Sequence, residues 1–159
     1  MPWMTLASAV VGALIATVSA VLLDRSRWRR EQDDRLISAR RALYGEYLAC
    51  LPQARNDFRT LARNRTMGPA DRDRSARDSF APCYDVRYQM SITAASKVVV
   101  ASEEAFRRLR DVRDLAGAGA LAGDEAYSGG RAEYEAALAR LRDAMRFDLG
   151  SDREPAVAR

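Results

Sequence analysis

The chain has 159 residues, a formal net charge of +4 and no histidine. Without histidine there is no Ser–His or Cys–His nucleophile pair and no His-containing zinc or di-iron site. No catalytic residue, metal ligand or cofactor is assigned. The basic excess is almost all arginine, with Lys97 the single lysine. It points to nucleic acid only if those arginines gather on one face. Cys50 and Cys83 form no CxxC motif and read as small apolar core residues with free thiols.

The first element is residues 3–23, WMTLASAVVGALIATVSAVLL, which no charge interrupts. At ~1.5 Å per residue this run is roughly 32 Å long, about the hydrocarbon thickness of a bilayer. Trp3 and Trp28 flank it as interfacial aromatics do. The expectation is a single-pass anchor over residues 1–24. The rival is a cleaved signal peptide ending at Val18–Ser19–Ala20, but the positive n-region of such a peptide is missing. Arg25, Arg27, Arg29, Arg30, Arg35, Arg40 and Arg41 follow the run and nothing comparable precedes it. The positive-inside rule then puts the N-terminus outside and the rest in the cytoplasm, at the inner membrane. Ser8, Gly12, Ala16 and Ala20 recur every four residues, a small-residue ribbon that lets two spans approach closely as a homodimer.

Residues 25–35 carry Trp28 as their only large apolar side chain and read as a charged helical stalk. It is supported by pairs four apart, Arg27–Glu31 to Glu31–Arg35. Its basic residues face lipid head groups in the sharper reading. Residues 36–150 read as a helical bundle. Leu36, Ile37, Leu43, Tyr44, Tyr47, Leu48, Leu51, Ala54, Phe58, Leu61 and Ala62 lie on one arc of a 3.6-residue helix. Arg40 and Arg55 fall inside that arc and require acids. Pro52 predicts a kink. Met67–Gly68–Pro69 ends this helix. Ala76, Phe80, Tyr84, Tyr88, Ser91, Ile92, Ala95 and Val99 predict a second helix closing on Lys97–Val100. Ser102 reads as the N-cap of a third, which stops at Gly117–Ala118–Gly119. The last helix carries Tyr127, Tyr134, Ala137, Leu138, Leu141, Met145 and Leu149, with Gly150 as its stop. Residues 151–159 read as a disordered polar tail.

The segments RSRWRREQDDR, ARRALYGEYL and YEAALARLRDAMRFDLG resemble the small single-pass, arginine-rich helical membrane proteins common in high-GC actinobacteria. That group has no assigned chemistry. The resemblance implies the architecture and transfers no functional residues. The fold class expected is therefore all-α: a transmembrane helix continuing into a small antiparallel bundle or coiled-coil domain. The function expected is a membrane-tethered interaction or scaffold module, with the bilayer and a protein as its partners. The alternatives are an exported helical protein and a membrane-anchored nucleic-acid binder. The second would use Arg55, Arg59, Arg63, Arg65, Arg72, Arg74 and Arg77 around the Gly68–Pro69 turn, among which Asp57, Asp71, Asp73 and Asp78 dilute the charge. An enzyme would have to use Glu46 with Tyr44, Tyr47, Tyr84 and Tyr88, whose helical spacing is that of core residues. A hairpin about Met67–Gly68–Pro69 also predicts that Cys50 and Cys83 are near neighbours, that Tyr47 meets Arg87, and that Glu46 pairs with Arg87.

Overall fold

The computed structural model describes the backbone of residues 2–150 and the side chains of Trp28 and of residues 31–150. It is all-helical, with no strand among the described residues. The helices are α1 (Pro2–Arg63), α2 (Pro69–Phe80), α3 (Pro82–Thr93), α4 (Ser96–Gly117) and α5 (Glu125–Asp148). Among the described residues no helix is long and apolar enough to cross a membrane. The side chains of the 3–23 run, the ribbon Ser8, Gly12, Ala16 and Ala20, the basic residues Arg25, Arg27, Arg29 and Arg30, and the 151–159 tail lie outside the described residues.

The chain divides into two compact units between Ala39 and Arg40. In the first, Trp28 is 63% exposed, and Leu36 and Ile37 are also exposed. The last two were expected in the core. The buried stripe instead begins at Leu43, so their spacing continues the helix phase beyond the residues that are buried. Glu31 and Arg35 are exposed and form no ion pair among the described residues.

In the second unit, Tyr44, Tyr47, Leu51, Ala54, Phe58, Leu61 and Ala62 of α1 are buried. From Tyr44 to Leu61 the steps alternate between three and four, the spacing that keeps one helix face inward. Pro52 lies inside the helix without ending it. The α1 and α5 helices run antiparallel. Arg40 reaches Asp148 at 3.2 Å, Arg55 reaches Glu135 at 2.6 Å, and the Ala122 N–H donates to the Ala62 carbonyl at 3.0 Å. Both arginines on the apolar arc have thus found acids.

At the end of α1, Arg72 of α2 is only 5% exposed. Its guanidinium donates to the Leu61 carbonyl at 2.7 Å and to the Asn64 carbonyl. The Leu61 carbonyl, in the last turn of α1, also accepts from the Asn64 N–H at 3.0 Å, and Asn64 follows the helix end. Past this cap, Asn64 Oδ1 accepts from the Thr66 N–H and hydroxyl, both at 3.0 Å, and Pro69 opens α2.

The second predicted helix is in fact two. Ala81 separates α2 from α3, because Pro82 has no N–H to continue the ladder. The break resets the phase. Cys83, Val86 and Met90 are buried, while Tyr88 and Ile92, expected inside, are 62% and 85% exposed. The next break also differs from the expectation. It falls at Ala94–Ala95, both extended, so Lys97–Val100 opens α4 instead of closing a helix. Ser102 is no cap. It is buried inside α4, where its hydroxyl donates to the Val99 carbonyl at 2.7 Å.

The α4 helix then contributes Val98, Ala105, Phe106, Leu109, Val112 and Ala116 to the core. Gly117 lies at the α2–α4 contact, where a Cβ would be 3.4 Å from Asp73 Oδ1 and 3.6 Å from the Ala76 Cβ, ordinary contact distances. The turn after α4 passes through Gly119 at φ +96°, and Gly150 follows α5 at φ +74°. Glycine alone adopts such values without strain. Phe80 lies at the centre of an aromatic group, with ring centroids 4.6 Å from Phe106, 5.3 Å from Tyr84 and 6.2 Å from Phe58.

Candidate functional site

A groove of about 780 Å³ runs along α4, walled by α3 on one side and α5 on the other. Its apolar lining is Tyr84, Val100, Ala101, Phe106 and Ala137. Its charged lining is Arg87 from α3, Lys97, Glu103, Glu104, Arg107 and Arg110 from α4, and Arg140 from α5. The helical repeat places the cations. Residues 100, 103, 107 and 110 succeed one another at three and four positions, so they line the outer face of α4 while Phe106 and Leu109 turn inward.

Five cationic side chains thus face two carboxylates, and one of the carboxylates is already engaged. Arg108 Nε donates to Glu104 Oε1 at 2.9 Å, and Arg107 donates to Oε2. These bonds, that of Arg108 first, hold the Glu104 carboxyl below the usual carboxylate range. Arg108 also reaches Glu133 at 2.6 Å and so joins α4 to α5.

Among the described residues Arg87, Lys97, Arg110 and Arg140 form no ion pair. Arg87 instead lies over the Phe106 ring at 4.8 Å, and Lys97 over Phe147 at 5.3 Å. A smaller recess of about 100 Å³ shares Arg87 and Glu103 with the groove and adds Tyr88, Ser91, Val99 and Ser102. Exposed Tyr88 and Val100 therefore sit on one surface with unneutralised arginines. Such a surface suits an acidic ligand with an apolar side. Sequence reading missed it because the wrong phase was carried through α3 and because arginine is everywhere in the chain. The detectable signal was Arg107 and Arg110 beside an outward-facing Val100.

The arginines around the Gly68–Pro69 turn are mostly committed within the fold. Arg72 caps α1, Arg55 pairs with Glu135, Arg74 with Asp71 at 3.4 Å and Arg77 with Asp73 at 2.9 Å. The tyrosines also hold positions in the fold. Tyr44 donates to Asp148 Oδ2 at 2.7 Å, Tyr47 donates to the Ser102 carbonyl at 3.3 Å, and Tyr84 packs edge-on against Phe80 and Phe106. The charge of Arg87 is felt by Tyr47. Glu46 forms no ion pair with it; its charge is felt by Cys50. No group of three or more potential metal ligands occurs among the described residues. Comparison with known proteins gives no matching family model, no matching curated protein and no matching solved structure.

Proposed function

We propose that the chain is a membrane-tethered helical interaction module that docks an acidic segment of a partner protein in the α3–α4–α5 groove. The observation that carries this reading is the groove itself: apolar Phe106, Val100 and Ala101 beside Arg87, Lys97, Arg110 and Arg140, which form no ion pair among the described residues. The tether rests on the sequence. The uncharged 3–23 run is long enough to span a bilayer. The arginines after it favour a cytoplasmic module, and Ser8, Gly12, Ala16 and Ala20 favour pairing of two spans.

The test is a cross-linking pull-down from membranes with the full-length chain and with an Arg110→Glu, Arg140→Glu double variant. The expected result is a partner that the wild type captures and that is lost from the variant or with rising salt, because rim charges act through a screened field. Equal capture by both proteins at all salt concentrations removes the groove from the reading. A reporter fused after Arg159 tests the topology separately. Activity only in an extracytoplasmic reporter overturns the orientation.

A further inference from the structure

The groove carries charged and apolar contacts in a fixed order along α4. Arg107 and Arg110 both line it, three positions apart, so they are neighbours on the helix surface with about 5–6 Å between Cβ atoms. Arg110 also lies one turn beyond Phe106. Arg87 of α3 is held over the Phe106 ring at 4.8 Å, and Tyr84 meets the same ring edge-on at 5.1 Å. Three arginines from two helices thus flank one aromatic pair. Val100, seven positions before Arg107, is 68% exposed. Seven residues are two turns, so Val100 stands on the same face of α4 about 10.5 Å away. Ala101 beside it lines the groove as well.

We propose that the acidic segment docked here is a phosphorylated one, with its phosphate on Arg87, Arg107 and Arg110 and an apolar side chain three residues away seated on Val100 and Ala101. This rests on the groove being the docking site described above. Charge favours phosphate over a carboxylate. Five cationic side chains line the groove against Glu103 and Glu104, and Glu104 is already engaged by Arg107 and Arg108. A carboxylate brings one negative charge, whereas a phosphate monoester brings about −1.5 to −2 at pH 7 and three acceptor oxygens. Donor type favours it too. The cations at this end are all arginines, whose planar forks match phosphate oxygens two at a time. Arg107 engages Glu104 through Nη2, which leaves Nε and Nη1 for a ligand. Arg87 is already oriented by the ring beneath it, so less side-chain freedom is lost on binding. Lys97, ten positions before Arg107, is about 15 Å away along α4 and too far to share the same phosphate. Spacing sets the second contact. An extended chain advances at most about 3.3–3.6 Å per residue, so three residues cover the separation of Val100 from Arg107.

The test uses the full-length chain in detergent micelles and fluorescent nine-residue peptides, read by anisotropy. The peptides are random except at two fixed positions. One set fixes phosphoserine with leucine three places after it, and another with leucine three places before it. Matched sets carry glutamate or serine for phosphoserine, or glycine for leucine. The expected result is that one phosphoserine–leucine set binds about tenfold tighter than its glutamate match, loses affinity when leucine is replaced by glycine, and is displaced by inorganic phosphate. Arg110→Ala should remove the preference for phosphoserine over glutamate, and Val100→Ser the preference for leucine over glycine. Equal binding of the phosphoserine and glutamate sets overturns the phosphate and leaves docking of an acidic segment standing. No saturable binding by either set overturns both. Phosphoserine preference that survives Arg110→Ala overturns the proposal by placing the phosphate elsewhere. Tighter binding of phosphatidate-containing micelles than of any peptide also overturns it and assigns the groove to a lipid head group. The wild-type comparison of phosphoserine with glutamate decides on its own if a variant does not fold.

Discussion

Two tyrosines of similar burial illustrate how differently one hydroxyl can act. Tyr134 is fully buried, and its hydroxyl has no hydrogen-bond partner among the described residues. Tyr44 donates to an Asp148 carboxylate that also holds Arg40. An unsatisfied buried polar group costs about 1–3 kcal/mol, whereas a hydrogen bond to a charged group contributes about 1.5–3 kcal/mol. Tyr134→Phe should therefore raise stability by about 1 kcal/mol and Tyr44→Phe lower it by about 2 kcal/mol, both read from denaturant midpoints. A fall in stability for Tyr134→Phe would mean that its hydroxyl has a partner after all. The same residues govern behaviour in base. Burial is the leading cause that raises Tyr44, Tyr47 and Tyr134 above the ordinary phenol value of 10.0. The folded chain keeps these protons where the unfolded chain releases them. Their stabilisation is complete below the ordinary value and is lost as pH rises from it toward the folded values. Phenolate absorbance and loss of helical circular dichroism should therefore rise together above about pH 10. Full titration of all tyrosines with helicity intact would contradict the burial.

At the scale of the element, α1 is finished by a residue of another helix. Arg72 supplies the donors for the Leu61 and Asn64 carbonyls from a nearly buried position. Arg72→Ala should cost about 2–3 kcal/mol, and Arg72→Lys should recover only part of it, since a single ammonium does not reproduce the fork. A loss below half of that on thermal melting would show the carbonyls to be capped by water. The sequence disclosed α1 and α5 well, because their buried residues keep one phase over many turns and Gly68, Gly119 and Gly150 mark where turns fall. It misplaced the middle of the chain. Tyr84, Tyr88 and Ile92 form as good a stripe as Cys83, Val86 and Met90. Only the break at Ala81–Pro82 selects the second, and a proline alone does not say whether a helix ends, since Pro52 lies inside α1. Ser102 failed for a related reason: a serine before two glutamates carries the local signal of a cap, yet α4 had already begun at Ser96. The groove inherits both errors, since α3 forms one of its walls and it runs along α4.

For the whole molecule, stability is unevenly distributed along a chain that is helical on both sides of the Ala39–Arg40 division. Side chains 31–39 are all exposed, while α4 and α5 each contribute a full buried face. Amide hydrogen exchange should separate them, with residues 31–39 exchanging orders of magnitude faster than residues 105–112 and 134–145. Equal protection in both would require a partner covering the first segment. The Arg40–Asp148 ion pair and the Tyr44–Asp148 hydrogen bond also have a topological meaning. They bring the start of the second unit to its end, so in space the unit is a closed circuit whose seam happens to lie there. Where the seam lies is then a matter of connectivity rather than of packing. A circular permutant that joins residue 150 to residue 40 by a short flexible link, and opens new ends between Thr66 and Met67, should keep its helical content and melt as one cooperative unit.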